Sequence, residues 1–161
     1  MDIRPARTTD WRLLKAVRLN ALKDSPNAFA VTYQSASNLS DEQWQALATA
    51  TAHRRFWLAV EDDEAVGLVG SLISAADRYT LIAMWVEPQR RGSDVAARLV
   101  ESVTRDAIQK QHKRVYLEVS PDNHRAVGFY QKQGFAFIDE WEPLDSDPTI
   151  LMQTMICNSV G

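Results

Sequence analysis

Met84-Trp85-Val86-Glu87-Pro88-Gln89-Arg90-Arg91-Gly92-Ser93-Asp94-Val95-Ala96-Ala97-Arg98-Leu99 runs from an apolar strand end through a basic, glycine-containing turn into the first turn of a helix. A helix N-terminus carries four backbone N–H groups without intrahelical acceptors and a partial positive charge, so it holds phosphates through the backbone alone. Arg90 and Arg91 stand just upstream, and Gly92 lets the backbone approach a ligand with no Cβ in the way. The stretch reads as an anion site. The plainer reading is a strand-to-helix connection with solvated arginines.

Upstream, Tyr79 to Val86 is apolar nearly throughout, as a central strand covered on both faces must be. Before it, Phe56 to Val60 and Ala65 to Ile73 flank Glu61-Asp62-Asp63-Glu64 and predict a hairpin, in which Gly67 and Gly70 mark a bulge or close packing. Further back, Ser40 to Gln43 spells a capping box, which predicts a helix over 41–52. Residues 27–38 carry too weak a period to assign. Trp11, Leu14, Val17, Ala21 and Leu22 recur at helical spacing after the N-cap candidates Thr8, Thr9 and Asp10, and Asp2 to Ala6 predicts an edge strand.

Downstream, Val95, Leu99, Val103 and Ile108 form the inner stripe of a helix reaching about Gln111. Val115 to Val119 is a strand. A short helix then ends at Gly134, its C′ residue. Phe135 to Trp141 and Ile150 to Ile156 close the chain as two strands around a Pro/Asp loop, Pro143 to Pro148.

The 161 residues are 45% hydrophobic and 24% charged, the proportions of one ordinary globular domain, with a net charge of −3 that speaks against nucleic acid as a partner. No apolar run approaches the ~18 residues of a membrane span. Met1 to Pro5 lacks a signal peptide's apolar region, and lone Cys157 has no disulfide partner, so a cytoplasmic location is expected. His53, His112 and His124 are isolated, and no metal-ligand spacing occurs. Neither a P-loop nor a Gly-x-Gly-x-x-Gly fingerprint is present, which argues against a nucleotide-binding protein.

Two segments together carry a family resemblance. Arg91-Gly92-Ser93-Asp94-Val95-Ala96 resembles the Arg/Gln-x-x-Gly-x-Gly/Ala loop, motif A, of the GCN5-related (GNAT) N-acetyltransferases. Asn123-His124-Arg125-Ala126-Val127-Gly128-Phe129-Tyr130-Gln131-Lys132-Gln133-Gly134-Phe135 resembles that family's motif B, Asn-x-x-Ala-x-x-(Phe/Leu)-Tyr-x-x-x-Gly-Phe, in the right order and with a strand between. The resemblance implies an α/β (α+β) fold over residues 1–161, a single N-acetyltransferase domain. Its one mixed, mostly antiparallel sheet is flanked by about four helices and splayed between the fourth and fifth strands. It implies acetyl-CoA as cosubstrate, with no metal. The pantetheine arm would pair with the backbone of Trp85 and Val86, whose side chains read as core. The pyrophosphate would lie on Arg91, Gly92, Ser93, Asp94, Val95 and small Ala96. Asn123 and Ala126 would stand beside the coenzyme, with Asn123 bonding it or capping its helix.

Acetyl transfer to an amine needs a group that takes up the amine's proton and one that supplies a proton to the departing thiolate. Tyr130 matches the family's tyrosine near the coenzyme sulfur, a general acid. Glu118 resembles a glutamate base of related enzymes; Glu87 or a water chain is the alternative. Asp94 departs from the pattern, standing where the family has its first glycine. A carboxylate ~4 Å from an anion is repelled by roughly 4 kcal/mol before screening. The same residue is a good helix N-cap, with Arg98 at i+4.

The expectation is a direct acetyl transfer to a primary amine of a small molecule or peptide. The alternative is an acyl-CoA-binding regulatory module. Phe29, Tyr33, Trp44 and the loop before the last strand would bound the acceptor, and the protein would be a monomer or a homodimer. Acidic Glu61 to Glu64 reads as a solvated turn.

Overall fold

The computed structural model describes residues 1–158. Seven strands form one sheet in the order β1-β2-β3-β4-β5-β7-β6: β1 (Asp2–Pro5), β2 (Arg54–Glu61), β3 (Glu64–Ile73), β4 (Tyr79–Val86), β5 (Arg114–Val119), β6 (Ala136–Leu144) and β7 (Asp147–Asn158). Every pairing is antiparallel except β4 with β5. Five α-helices flank the sheet: α1 (Trp11–Asp24), α2 (Tyr33–Ser37), α3 (Asp41–Ala48), α4 (Val95–Gln109) and α5 (His124–Lys132).

Strand alternation divides the core. Phe56, Leu58, Leu68 and Trp85 pack with Leu14, Val17, Leu22 and Trp44 of α1 and α3, while Trp57, Ala59, Val69 and Val86 pack with Leu99, Val103 and Ala107 of α4. Because both faces are covered, the middle strands read as continuous apolar runs.

The parallel β4–β5 ladder stops after two residue pairs, Tyr79 with Val115 and Thr80 with Tyr116. Beyond Thr80 the strands diverge, as the resemblance implied, and the rest of β4 has no ladder partner on that side among the described residues. A bulge accompanies the divergence. Leu68 faces Trp85 but Gly70 faces Ile82, so Ala83 and Met84 together stand opposite Val69. Ala83 takes φ +58°, and Ile82 and Ala83 pack consecutively on the same face. Such an insertion bends and twists its strand. This extra residue lies on β4, and a second register shift lies on β3 beside Gly67, as the glycine suggested: Gly67 faces Ala59 but Ala65 faces Val60, which leaves Val66 as the extra residue against β2. Both glycines also serve close packing: a Cβ at Gly70 would sit 2.8 Å from the Phe56 ring, and one at Gly67 would meet the Trp85 carbonyl at 3.1 Å.

Local signals behave unevenly. The capping box forms, with Ser40 N–H donating to Gln43 Oε1 at 2.8 Å and Gln43 N–H to Ser40 Oγ at 3.1 Å. Its helix stops at Ala48, four residues earlier than expected, where Thr49 Oγ1 bonds back to the Gln45 carbonyl and to Thr8 Oγ1. Asp62 and Asp63 both adopt positive φ, the hairpin geometry that Asp tolerates. Thr8 to Asp10 form a 3-10 turn, and Asp10 holds the N-cap position of α1 without a side-chain cap bond; its carboxylate accepts instead from Arg7 N–H and pairs with Arg4 at 2.8 Å. The expected loop over 143–148 is strand nearly throughout. Pro143 pairs with Leu151 and Leu144 with Asp147, leaving only Asp145 and Ser146 to turn. Proline is tolerated there because β6 is an edge strand.

Candidate active site

The divergence of β4 and β5 opens a cleft of 640 Å³. Its walls are Leu81 to Val86 on one side and Leu117 to Ser120 on the other, and Ala126, Phe129 and Tyr130 of α5 form part of its lining. One end is made by Arg90, Arg91, Gly92, Ser93 and Ala96, where the chain enters α4. The rest of its lining includes Arg18 of α1, Phe29 and Val31 after it, and Leu144 and Met152 of the β6–β7 hairpin, which form its far end.

At the loop end the arginines are tethered rather than solvated. Arg90 pairs with Glu61 and, at 3.3 Å, with Glu87, so Glu61 is not merely a solvated turn residue and Glu87 is engaged as an anchor. Arg91 donates from Nε to the Val86 carbonyl at 3.1 Å and from Nη2 to Asp24 Oδ2 at 2.9 Å. That same Asp24 oxygen accepts from Trp85 Nε1 at 3.0 Å and from Ser25 Oγ at 2.8 Å. The indole N–H, then the Ser25 hydroxyl, then the Arg91 guanidinium hold the Asp24 carboxyl down to about 2. Asp24 thus ties the end of α1 to β4 and to the loop. Nothing in the sequence marks it, because its partners lie 61 and 67 residues away.

Gly92 takes φ +85°, with open space where a Cβ would point. Asp94 holds the N-cap position of α4, yet its side chain makes neither a cap hydrogen bond nor an ion pair with Arg98 among the described residues. Ser93 does the local work: its hydroxyl donates to the Arg90 carbonyl and lies 3.5 Å from Val95 N. Asp94 is exposed and Val95 is buried in the core, and neither lines the cleft. Arg91, Gly92, Ser93 and Ala96 do, as do Trp85, Val86, Asn123 and Ala126. The Trp85 and Val86 side chains are core, at 7% and 6% exposure. Asn123 caps α5, with Oδ1 accepting from Ala126 N–H at 3.3 Å.

Tyr130 and Glu118 meet the cleft from different sides. Tyr130 packs in the α4–α5 core beside Phe129 and Phe135, at 5.3 and 5.7 Å between ring centroids. Burial pushes its pKa above the ordinary value, and among the described residues nothing hydrogen bonds its hydroxyl. Val115, Leu117 and Val119 point into that core, so Glu118 projects from the opposite face of β5, across from Thr154. Burial, reinforced by Glu142, Asp145 and Glu140, raises the Glu118 carboxyl. Of the expected acceptor walls, Phe29 lines the far end; Trp44 lines a neighbouring chamber; Tyr33 is exposed and lines neither. Ser146 of the β6–β7 turn donates its hydroxyl to the Phe29 carbonyl at 2.6 Å, strapping the C-terminal hairpin to the segment after α1.

The sequence profile of the acetyltransferase (GNAT) family matches residues 19–135. The chain belongs to that family. It is 31% identical over 102 residues to the peptidyl-lysine N-acetyltransferase YiaC of Escherichia coli, a match covering 63% of this chain and 64% of YiaC. The chain therefore matches just under two thirds of that relative's length. A GNAT-family acetyltransferase from Streptococcus pneumoniae superposes with a TM-score of 0.81, covering 98% of both chains at 18% identity. The PaiA N-acetyltransferase of Thermoplasma acidophilum, solved with coenzyme A, superposes with a TM-score of 0.74, covering 98% of both chains at 16% identity. At such identities these two establish the fold.

Proposed function

We propose that this GNAT-family chain is an N-acetyltransferase that moves an acetyl group directly from acetyl-CoA to a primary amine of a small molecule or peptide. The observation that carries the reading is one cleft with Tyr130 on one side, Glu118 on the other and the Arg91–Ala96 loop at its end. The residues present fit the coenzyme. The unpaired edge of β4 offers backbone groups to a pantetheine amide, as an added strand would use them. Gly92 and Ala96 leave the helix terminus approachable, and Arg91 brings positive charge.

When bound, acetyl-CoA supplies an activated acyl group. This chain's residues would handle the protons. A buried tyrosine with a raised pKa keeps its proton at neutral pH and would donate its O–H as a hydrogen bond to the sulfur as negative charge develops there. The thiol's lower pKa lets the departing thiolate leave with its final proton coming from solvent or the acceptor's ammonium. A carboxylate raised toward neutrality by burial and acidic neighbours is a better base for an ammonium group than an ordinary glutamate.

The regulatory-module alternative drew on Asp94, whose side chain lies outside the cleft lining. A thiol-release assay with acetyl-CoA and a broad amine panel, alongside calorimetric titration of coenzyme A, tests the choice. Thiol release dependent on one amine class is expected. Tight coenzyme binding without turnover across the panel favours the module, and absence of coenzyme binding removes both.

A further inference from the structure

Arg18 projects from α1 into the cleft and differs from its other arginines: Arg125, also in the lining, is exposed to solvent, and the loop-end pair is tethered. Arg90 and Arg91 are held by carboxylates; Arg18 has no hydrogen bond and no ion pair among the described residues. Its Nη1 is fully buried without an acceptor, and its guanidinium stacks on the Phe29 ring at 4.8 Å. Burial lowers its pKa to about 10, so it remains charged at neutral pH. A desolvated guanidinium without a counter-ion is costly, and a planar fork of donors is matched best by a carboxylate, which it binds through two parallel hydrogen bonds.

Arg18 also borders a second chamber of 580 Å³ between α1, α3 and β2 to β4. The two spaces share Arg18, Val31, Leu72, Ile82 and Ala83, so they meet at the β4 bulge. The second chamber is mostly apolar, walled by Leu14, Leu39, Leu47 and Phe56 with Trp44, with Gln43 and Arg54 among its polar lining. Trp44 is 1% exposed, and its indole Nε1–H has no acceptor among the described residues. Guanidinium and indole N–H donors therefore border a mostly apolar space at one end, while Glu118 with Glu140, Glu142 and Asp145 make the other side of the site acidic.

We propose that Arg18 is a specificity-determining residue that binds a carboxylate of the acceptor, and that the acceptor is an amine carried on an apolar or aromatic body with that carboxylate, an apolar amino acid being the smallest example. This rests on the acetyltransferase reading for which group reacts, but not for which group is held. The carboxylate would lie on Arg18, the apolar body in the second chamber and the ammonium group toward Glu118. A polycation without an acid group would instead meet an uncompensated guanidinium at Arg18.

The test is calorimetric titration of the coenzyme A-saturated protein with N-acetyl-L-phenylalanine and N-acetyl-L-leucine, each against its uncharged amide and against N-acetylglycine. These product-like probes need no turnover. At least tenfold tighter binding of the acids than of the amides, and of the two apolar acids than of N-acetylglycine, is expected. The acid preference should fall below twofold in Arg18→Gln and survive in part in Arg18→Lys, with coenzyme A affinity unchanged in both. Equal binding of acids and amides, no binding of either acid at 10 mM (about the weakest such titration resolves, under 3 kcal/mol), or a preference that survives Arg18→Gln overturns the proposal. Thiol release with L-phenylalanine is measured in parallel. Arg18-dependent acid binding without thiol release would sink acetyl transfer to this acceptor and leave the carboxylate site standing.

Discussion

The loop end of the cleft and its far end are assembled from different materials. The loop end is one continuous segment, β4 through the start of α4, presenting backbone groups and small side chains to a ligand, with Arg91 fixed by Asp24 and Val86. The far end is made of side chains from α1, the segment after it, and the β6–β7 hairpin, joined by contacts such as Ser146 to Phe29, 117 residues apart. A cosubstrate common to a whole family suits the first kind of wall, because backbone recognition tolerates sequence change. An acceptor that differs between members suits the second, where single side chains decide. Substitutions should accordingly separate: on the central pair they should change rate, at the loop end coenzyme binding, and at the far end acceptor choice.

The sharpest break is at Tyr130. Tyr130→Phe keeps the ring packing with Phe129 and Phe135 and removes only the hydroxyl. Turnover should fall at least tenfold, within reach of the ~10²–10⁴ of general acid–base catalysis, with acetyl-CoA affinity changed less than about twofold. Steady-state kinetics beside calorimetry checks this, and an unchanged rate would take Tyr130 out of the mechanism.

Glu118→Gln should lower turnover about tenfold at neutral pH, at the low end of the same range because water can take over proton removal. Its pH profile is more telling. Burial and the neighbouring acids raise the Glu118 carboxyl, so the acidic limb of kcat/KM should lie above the ordinary carboxylate range. That limb should disappear in Glu118→Gln. A limb that stays in place assigns it to another group.

Much of the loop end was legible in the sequence, and little of the far end. Gly92, Ser93, Ala96, Asn123 and Tyr130 sit at fixed spacings within short segments, where local backbone geometry carries the information. The β4 bulge escaped because an alanine occupies its positive-φ position, where a glycine would have signalled it. Of the glycines that were visible, Gly67 marks the smaller β3 shift at Val66 and both pack closely across the sheet. Arg18 and Asp24 lie on a helix whose apolar stripe announced only a buried face, and their significance comes from partners that chain topology brings near. The β6–β7 turn misled because Pro143 and Pro148 suppress a strand reading, although Pro143 lies on the edge strand β6 and Pro148, at the start of β7, has no partner in either ladder.

Asp24 tests whether the two ends are mechanically joined. Its carboxyl is held well below the ordinary value of 3.8, so its contribution to stability is complete above that value and is lost as pH falls through about 2. Asp24→Asn should be less stable than wild type at pH 7 by denaturant unfolding, and the gap should close near pH 2. A gap of equal size at both pH values would mean that Asp24 acts through packing and not through charge. Because Asp24 fixes Arg91, the variant should also shift acetyl-CoA affinity by a few-fold, with little change in acceptor preference.

The smallest effect is expected at Asp94, the residue that departs from the family pattern. Repulsion of a pyrophosphate by its carboxylate would require the side chain to face the cleft; it is exposed, and it lies outside the lining. Exposed charges act through water and are screened over ~8 Å at physiological salt. Asp94→Asn removes the charge with the shape kept, and should change acetyl-CoA affinity less than twofold at physiological ionic strength and somewhat more at low salt. Asp94→Gly adds a separate cost: glycine at an N-cap is only a few tenths of a kcal/mol worse than aspartate, and Asp94 makes no side-chain cap bond to lose. The two variants should therefore behave alike. A tenfold gain in affinity for Asp94→Asn would mean that the loop rearranges around the coenzyme until the carboxylate faces it, and the loop end would then be an adaptable wall rather than a preformed one.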